Sequence, residues 1–334
     1  MTTSQETNKA RRSWSKRLLG VVVASLATYG SLIAPASAQT AAGTPKELRI
    51  GYQKYGTLVI LKARGTLEKR LAEKGVAVKW TEFPFGPPLL EAINVGSIDV
   101  GTTGEAPPIF AQAAGADLVY IGNEPPAPSA EALIVPKDSP VRAVADLKGK
   151  KIAVGKGSNA NFLLVKLIEN AGLKFSDVEV AYLPPADARA AFESGRVDAW
   201  AIWDPFLAAA EKQLNARVVA DGKGAVANHQ FYLAARAYAE KHPEIVHILL
   251  DEIDKIDQWG RQNPKEVAKF IAPLIGIDLP IIDVAAHRLT YGVKPVTPEV
   301  IAAQQKIADK FYELKLVPKH VKVSDATWNP GGKR

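Results

Sequence analysis

Apolar positions between residues 45 and 240 fall into short strand-like runs separated by amphipathic stretches, and the same succession occurs twice. Arg49-Ile50-Gly51-Tyr52 predicts a strand, followed by a loop over Gln53–Thr57 and a helix over about 58–74. Lys151-Ile152-Ala153-Val154 predicts the equivalent strand, with a loop over Gly155–Ser158 and a helix over about 159–170. Gly75 and Gly172 follow these helices, and Val76–Phe83 and Val178–Leu183 then alternate as second strands that run into prolines. Short helices over Pro87–Val95 and Ala186–Ser194 end at Gly96 and Gly195. Beyond them Gly96-Ser97-Ile98-Asp99 and Gly195-Arg196-Val197-Asp198 lie 99 residues apart, as do Glu105-Ala106-Pro107 and Asp204-Pro205-Phe206. A β-α-β-α-β order used twice implies two similar α/β lobes, 45–133 plus 232–334 and 134–231.

Ala132-Leu133-Ile134-Val135 predicts a strand leaving the first lobe, and Phe231-Tyr232-Leu233-Ala234 one returning to it. After that the pattern turns helical. Ile245, Leu249, Ile253 and Ile256 form one stripe over Glu244–Trp259. Asn263-Pro264-Lys265-Glu266 reads as a capped start for the next helix, and Thr297-Pro298-Glu299 for the last, whose Val300, Ala303, Ile307, Phe311 and Leu314 face inward. These helices have no counterpart in the second lobe and are expected to pack on the first. Two crossings between similar lobes describe a hinged clamshell.

The N-terminus reads as an export address. Lys9, Arg11, Arg12, Lys16 and Arg17 precede a mostly apolar stretch, and Ala36-Ser37-Ala38 offers a cleavage site, so residues 1–38 are expected to be a signal peptide cut after Ala38. Arg11-Arg12 leaves Sec and twin-arginine export both open. The formal charge of the full chain is +7; without residues 1–38 it falls to +3, too mild to suggest nucleic acid as a partner. Cysteine is absent, which excludes disulfides, thiolate metal sites, a catalytic thiol and a lipid anchor. The expected location is the periplasm.

Ligands of α/β sheets bind beyond the carboxyl ends of the strands, which here means the loops Gln53–Thr57, Thr102–Glu105, Gly155–Asn161 and Trp203–Phe206. Thr57, Ser158 and Asn159 sit where helices begin; each either caps its own helix or helps the free N–H groups there to hold an anion. Alternation sends Trp200 and Trp203 to opposite faces, and Trp203, nearer the loop, is expected to face the cleft. Asp204 before Pro205 is a ligand contact or a helix cap, and Tyr232 reaches the ligand or packs between the lobes. Gly155-Lys156-Gly157-Ser158-Asn159-Ala160 imitates a dinucleotide fingerprint but lacks the acid at the end of the next strand. Neither G-x-S-x-G nor H-E-x-x-H occurs, so a binding protein without cofactor or metal is favoured over an enzyme.

Longer stretches carry a resemblance. Leu48–Lys54, Val95–Gly101, Ala106–Tyr120, Pro185–Pro205, Phe231–Arg236 and Phe311–Lys319 resemble the aliphatic sulfonate-binding proteins of ABC transporters, within the sulfonate, taurine and nitrate receptor group. The resemblance implies a type II periplasmic binding fold, two α/β lobes joined by two hinge crossings. It further implies a monomer that delivers alkanesulfonates to a permease and its ATPase. Its pocket falls on Gln53, Thr103, Gly104, Glu105, Ser158, Asn159, Trp203, Asp204 and Tyr232. Thr102-Thr103-Gly104-Glu105 replaces the usual Ser-Thr-Gly-Asp, and Phe85 replaces a small residue, which bears on the preferred side chain of the sulfonate. Taurine or nitrate are the alternative ligands; an enzyme on the same scaffold, similar to those making thiamine-pyrimidine precursors, is the alternative of another class. Mass spectrometry of the exported protein should find Gln39 at its N-terminus; a chain still carrying Arg11 and Arg12 contradicts the assigned cleavage.

Overall fold

The computed structural model describes residues 43–330, so the signal-peptide assignment lies outside the described residues. The first half runs β1 (Glu47–Tyr52), α1 (Thr57–Arg64), α2 (Thr66–Ala72), β2 (Ala77–Glu82), α3 (Gly86–Asn94) and β3 (Val100–Gly104). It continues through α4 (Pro107–Ala114), β4 (Leu118–Asn123) and β5 (Glu131–Val135). The repeat follows as β6 (Lys151–Val154), α5 (Asn159–Asn170), β7 (Glu179–Tyr182), α6 (Pro185–Glu193), β8 (Ala199–Trp203), α7 (Phe206–Gln213) and β9 (Arg217–Asp221). After β10 (Gln230–Ala235) come α8 (Arg236–Lys241), α9 (Pro243–Gln262), α10 (Pro264–Ile275), α11 (Leu279–Arg288) and α12 (Pro298–Glu313).

Two five-stranded sheets form, ordered β2-β1-β3-β10-β4 and β7-β6-β8-β5-β9. In each, three parallel strands are followed by one antiparallel strand that arrives across a crossing: β10 in the first sheet, β5 in the second. The echo extends to single hydrogen bonds. The Arg49 amide donates to Asp99 Oδ2 at 2.8 Å, and the Lys151 amide to Asp198 Oδ2 at 2.8 Å, fixing the first and third strands of each lobe in the same way. The fold is thus the type II periplasmic architecture of two similar lobes joined by two crossings. The cut placed at 133/134 falls inside β5, all of which lies in the second sheet.

Alternation on the strands sorts the core. Tyr232 and Ala234 of β10 join Leu48, Ile50 and the apolar stripes of α1, α9 and α10 on one face of the first sheet. Phe231 and Leu233 face α3, α4 and α12 on the other. In the second sheet Leu133, Val135 and Ala201 pack on α5, while Ile134, Trp200 and Ile202 pack on α6 and α7.

Three local expectations change. The helix expected over 58–74 is broken at Gly65, whose left-handed φ of 63° ends α1 and starts α2. Asn263 does not cap α10; its amide instead donates to the Trp259 carbonyl at 2.9 Å. And α11 does not pack on the first lobe alone: Ile281 and Ala285 meet Ala208 and Ala209 of α7 in the second. Thr297 does cap α12.

α12 also binds the lobes together. Phe311 is fully buried, edge-on to Phe110 of α4 at 4.9 Å and to Phe162 of α5 at 5.6 Å. Phe311→Ala should therefore cost about 3–5 kcal/mol, as for other buried aromatic truncations, read as a lower urea midpoint.

Candidate functional site

Gln53 and Tyr55, Gly104, Ser158 and Asn159, and Trp203 come from the four strand-end loops and line one cleft, together with Gly86, Pro107, Asn228 and Gln230. None of these ten side chains carries a charge. The inner space is narrow, about 30 Å³. Through Gln53, Tyr55 and Trp203 it adjoins an outer space of about 280 Å³ walled by Phe83, Pro84, Pro184, Pro185 and Phe206, with the Lys54–Glu82 ion pair also on its lining. The amino ends of α3 and α5, one from each lobe, open on the inner part at Gly86 and Ser158–Asn159. The free N–H groups there are that of Gly86, since Pro87 and Pro88 have none, and those of the first residues of α5; with the two helix dipoles they favour an anion.

Asn159 spans the cleft. Its carbonyl oxygen accepts from the Ala106 amide at 3.1 Å, just before α4, and its Nδ2 donates to Asn228 Oδ1 at 2.6 Å. Gly104 makes the crossing possible, because a Cβ there would lie 2.0 Å from Asn159 Nδ2. Gln53 Nε2 donates to the Thr102 carbonyl at 3.0 Å, and the Tyr55 hydroxyl to Gln230 Oε1 at 2.7 Å. Ser158 is a helix cap in this geometry: Oγ donates to the Gly155 carbonyl at 2.7 Å and accepts from the Asn161 amide at 3.3 Å. Trp203 is half-buried against the cleft, whereas Trp200 is buried in the core.

Four predicted residues are placed elsewhere. Thr103 is fully buried and its hydroxyl donates to the Gly104 carbonyl. Asp204 Oδ1 caps α7 through the Ala208 amide at 3.0 Å and meets Arg288 of α11 at 3.4 Å; burial still raises its carboxyl to about 6. Glu105 Oε2 accepts from the His229 amide at 3.0 Å, its Oε1 has no partner, and burial raises it to about 7. Tyr232 sits inside the first lobe because its β10 position faces α1 and α9, and its hydroxyl donates to Glu124 Oε1 at 2.5 Å. Thr57 likewise caps nothing; its hydroxyl donates to Asp257 at 2.5 Å. Tyr55, Asn228 and Gln230 were missed. Asn228 and Gln230 lie in the returning crossing, where no periodic pattern marks them; in the structure Asn228 takes a φ of 54°, a left-handed conformation asparagine tolerates.

Neutral donors and helix amino ends in a cleft between two similar lobes are the features of a solute-binding site. The chain belongs to the NMT1/THI5-like family, which it matches over residues 71–267, and within it to the aliphatic sulfonate-binding proteins. The alkanesulfonate-binding protein SsuA of Xanthomonas axonopodis pv. citri, solved bound to MOPS, is 44% identical with a TM-score of 0.82, covering 85% of this chain and 98% of that one. The periplasmic aliphatic sulphonate binding protein SsuA of Escherichia coli is 48% identical with a TM-score of 0.79, covering 87% of this chain and 96% of that one. At 16% identity and a TM-score of 0.62, the desulfurization enzyme DszB shares the fold alone, covering 86% of this chain and 97% of that one.

The cluster that holds Tyr232 has a measurable consequence. Burial raises both carboxyls, but Asp257 receives the Thr57 hydroxyl and the Val293 amide and is held at about 6, while burial and the neighbouring Asp257 push Glu124 to about 8, so Glu124 is the one that holds the proton. The folded state then binds a proton that the unfolded chain releases. Its stabilisation is complete below the ordinary carboxylate range and is lost as pH rises through the raised value. The melting temperature should fall between pH 5 and pH 8, and Glu124→Gln should flatten that decline.

Proposed function

We propose that the protein captures alkanesulfonates between its lobes and hands them, unchanged, to an ABC permease and its ATPase. In this reading the exported chain works as a monomer in the periplasm after cleavage behind Ala38. The observation that carries it is the uncharged lining at which α3 and α5 point their amino ends from opposite lobes, beside the Trp203 indole. A sulfonate stays ionised at every physiological pH, so neutral donors suffice and no proton partner is needed. Each charge-assisted hydrogen bond contributes roughly 1.5–3 kcal/mol, so four of them supply about 6–12 kcal/mol, the order of the roughly 8 kcal/mol of micromolar binding. Gln53, Ser158, Asn159 and the Gly104 backbone face the head group, with Trp203 as wall. Thr103, Glu105, Asp204 and Tyr232 hold the surrounding backbone in place.

The outer, proline- and phenylalanine-walled space suits the apolar tail. Calorimetry with methane-, propane- and pentanesulfonate should show reversible binding without turnover. Each methylene buried should tighten it by about fourfold, from roughly 0.8 kcal/mol per CH₂, and Phe206→Ala should reduce that gain. Tight nitrate or taurine binding with none for alkanesulfonates would move the protein to a neighbouring receptor class. Product formation from any sulfonate would make it an enzyme.

A further inference from the structure

Two buried acids at the crossings are absent from the cleft lining. Glu131 opens β5 in the second lobe, is fully buried, and neither of its carboxyl oxygens has a hydrogen-bond partner. Glu105 follows β3 in the first lobe, is also buried, and has one oxygen unpartnered. Burial first, and the charge of Glu105 second, push the Glu131 carboxyl well upward. Among the described residues no lysine or arginine pairs with either acid.

The neighbours supply no charge to compensate. The returning crossing gives Glu105 only the amides of Asn228 and His229, and the His229 ring is turned to the Glu124 carbonyl at 2.8 Å. From α12, Gln304 reaches the Glu105 carbonyl and the Tyr120 hydroxyl rather than its carboxyl. Across the sheet, Glu131 is paired with Trp203 of β8, and the next acid, Asp204, is committed to Arg288 and the α7 amide. A dry ionised carboxylate without donors is far costlier than a neutral one.

We propose that closing the lobes takes up protons at Glu105 and Glu131, which makes capture tighter in acid and release easier as pH rises. The two acids belong to opposite lobes, so opening parts them and lets water reach each one, and closing dries both together. The inference rests on the sulfonate-binding reading above. Because the ligand itself never titrates, any pH dependence of its affinity reports groups on the protein.

The linkage sign is definite. A carboxyl whose value is higher in the closed form favours closure fully below the ordinary carboxylate range, and that advantage is lost as pH rises through the raised value, about 7 for Glu105. The test is calorimetry of the mature protein with pentanesulfonate between pH 5 and 8, in phosphate and in imidazole, whose different ionisation enthalpies count the protons. MES, MOPS and HEPES are unsuitable because each is itself a sulfonate. Kd should rise by up to about tenfold per pH unit for each proton taken up, with net uptake on binding. Glu131→Gln, or Glu105→Gln should the first not fold, should lower the slope and the proton count together. A flat Kd without uptake in the wild-type protein overturns the proposal while leaving the sulfonate reading intact, as does a slope unchanged in the folded variant. No pentanesulfonate binding at any pH overturns both.

Discussion

The cleft depends on one side chain crossing between lobes. Asn159 leaves the amino end of α5, takes the amide in front of α4 and donates to Asn228 in the return crossing. That single carboxamide joins the two lobes and one hinge, and it passes Gly104 at a distance no Cβ allows. Asn159 is also the first residue of α5, so the contact that ties the lobes together stands at one of the helix ends that favour an anion. Further out, the Phe110, Phe162 and Phe311 cluster and the Arg288 link to Asp204 and Glu211 reinforce it.

Around this uncharged seam the protein keeps its acids dry. Glu105, Glu124, Glu131 and Asp204 are all buried within or beside the crossings, and burial raises the carboxyl of each. Negative charge so near an anion site would repel the guest; protonation, capping and the Arg288 pair mute it. Permanently ionised guest and reluctantly ionised host are thus complementary. The arrangement also explains why the acids aligned 99 residues apart, Glu105 and Asp204, are absent from the lining. Each is turned to backbone amides, one in the return crossing and the other in α7.

Much of the fold was legible because its signals are local. The strand-glycine-helix succession, the prolines at helix starts and the matching Asp99 and Asp198 lie within short windows, and the structure realises them as two sheets of equal topology. The opposite facing of Trp200 and Trp203 followed from strand alternation alone. What the sequence hid were contacts between distant segments. β4 and β9 have no strong period and went unread, and α11 bridges to α7 through small side chains whose pattern looks like any helix face.

Residue order therefore settled the elements, their duplication and the loops that would meet, since backbone period and capping act within a few residues. Tertiary structure decided which groups at those loops face inward. Tyr232 and Thr57 are claimed by Glu124 and Asp257, Asp204 by α7, and Asn228 and Gln230 enter the lining from a stretch with no pattern. Apart from the Asp204 cap, which lies four residues from its partner, those outcomes depend on partners roughly 70 to 200 residues away in the chain, or on a turn set by both lobes at once. No short-range rule carries that information, because a polar side chain takes whichever donor or acceptor folding places beside it.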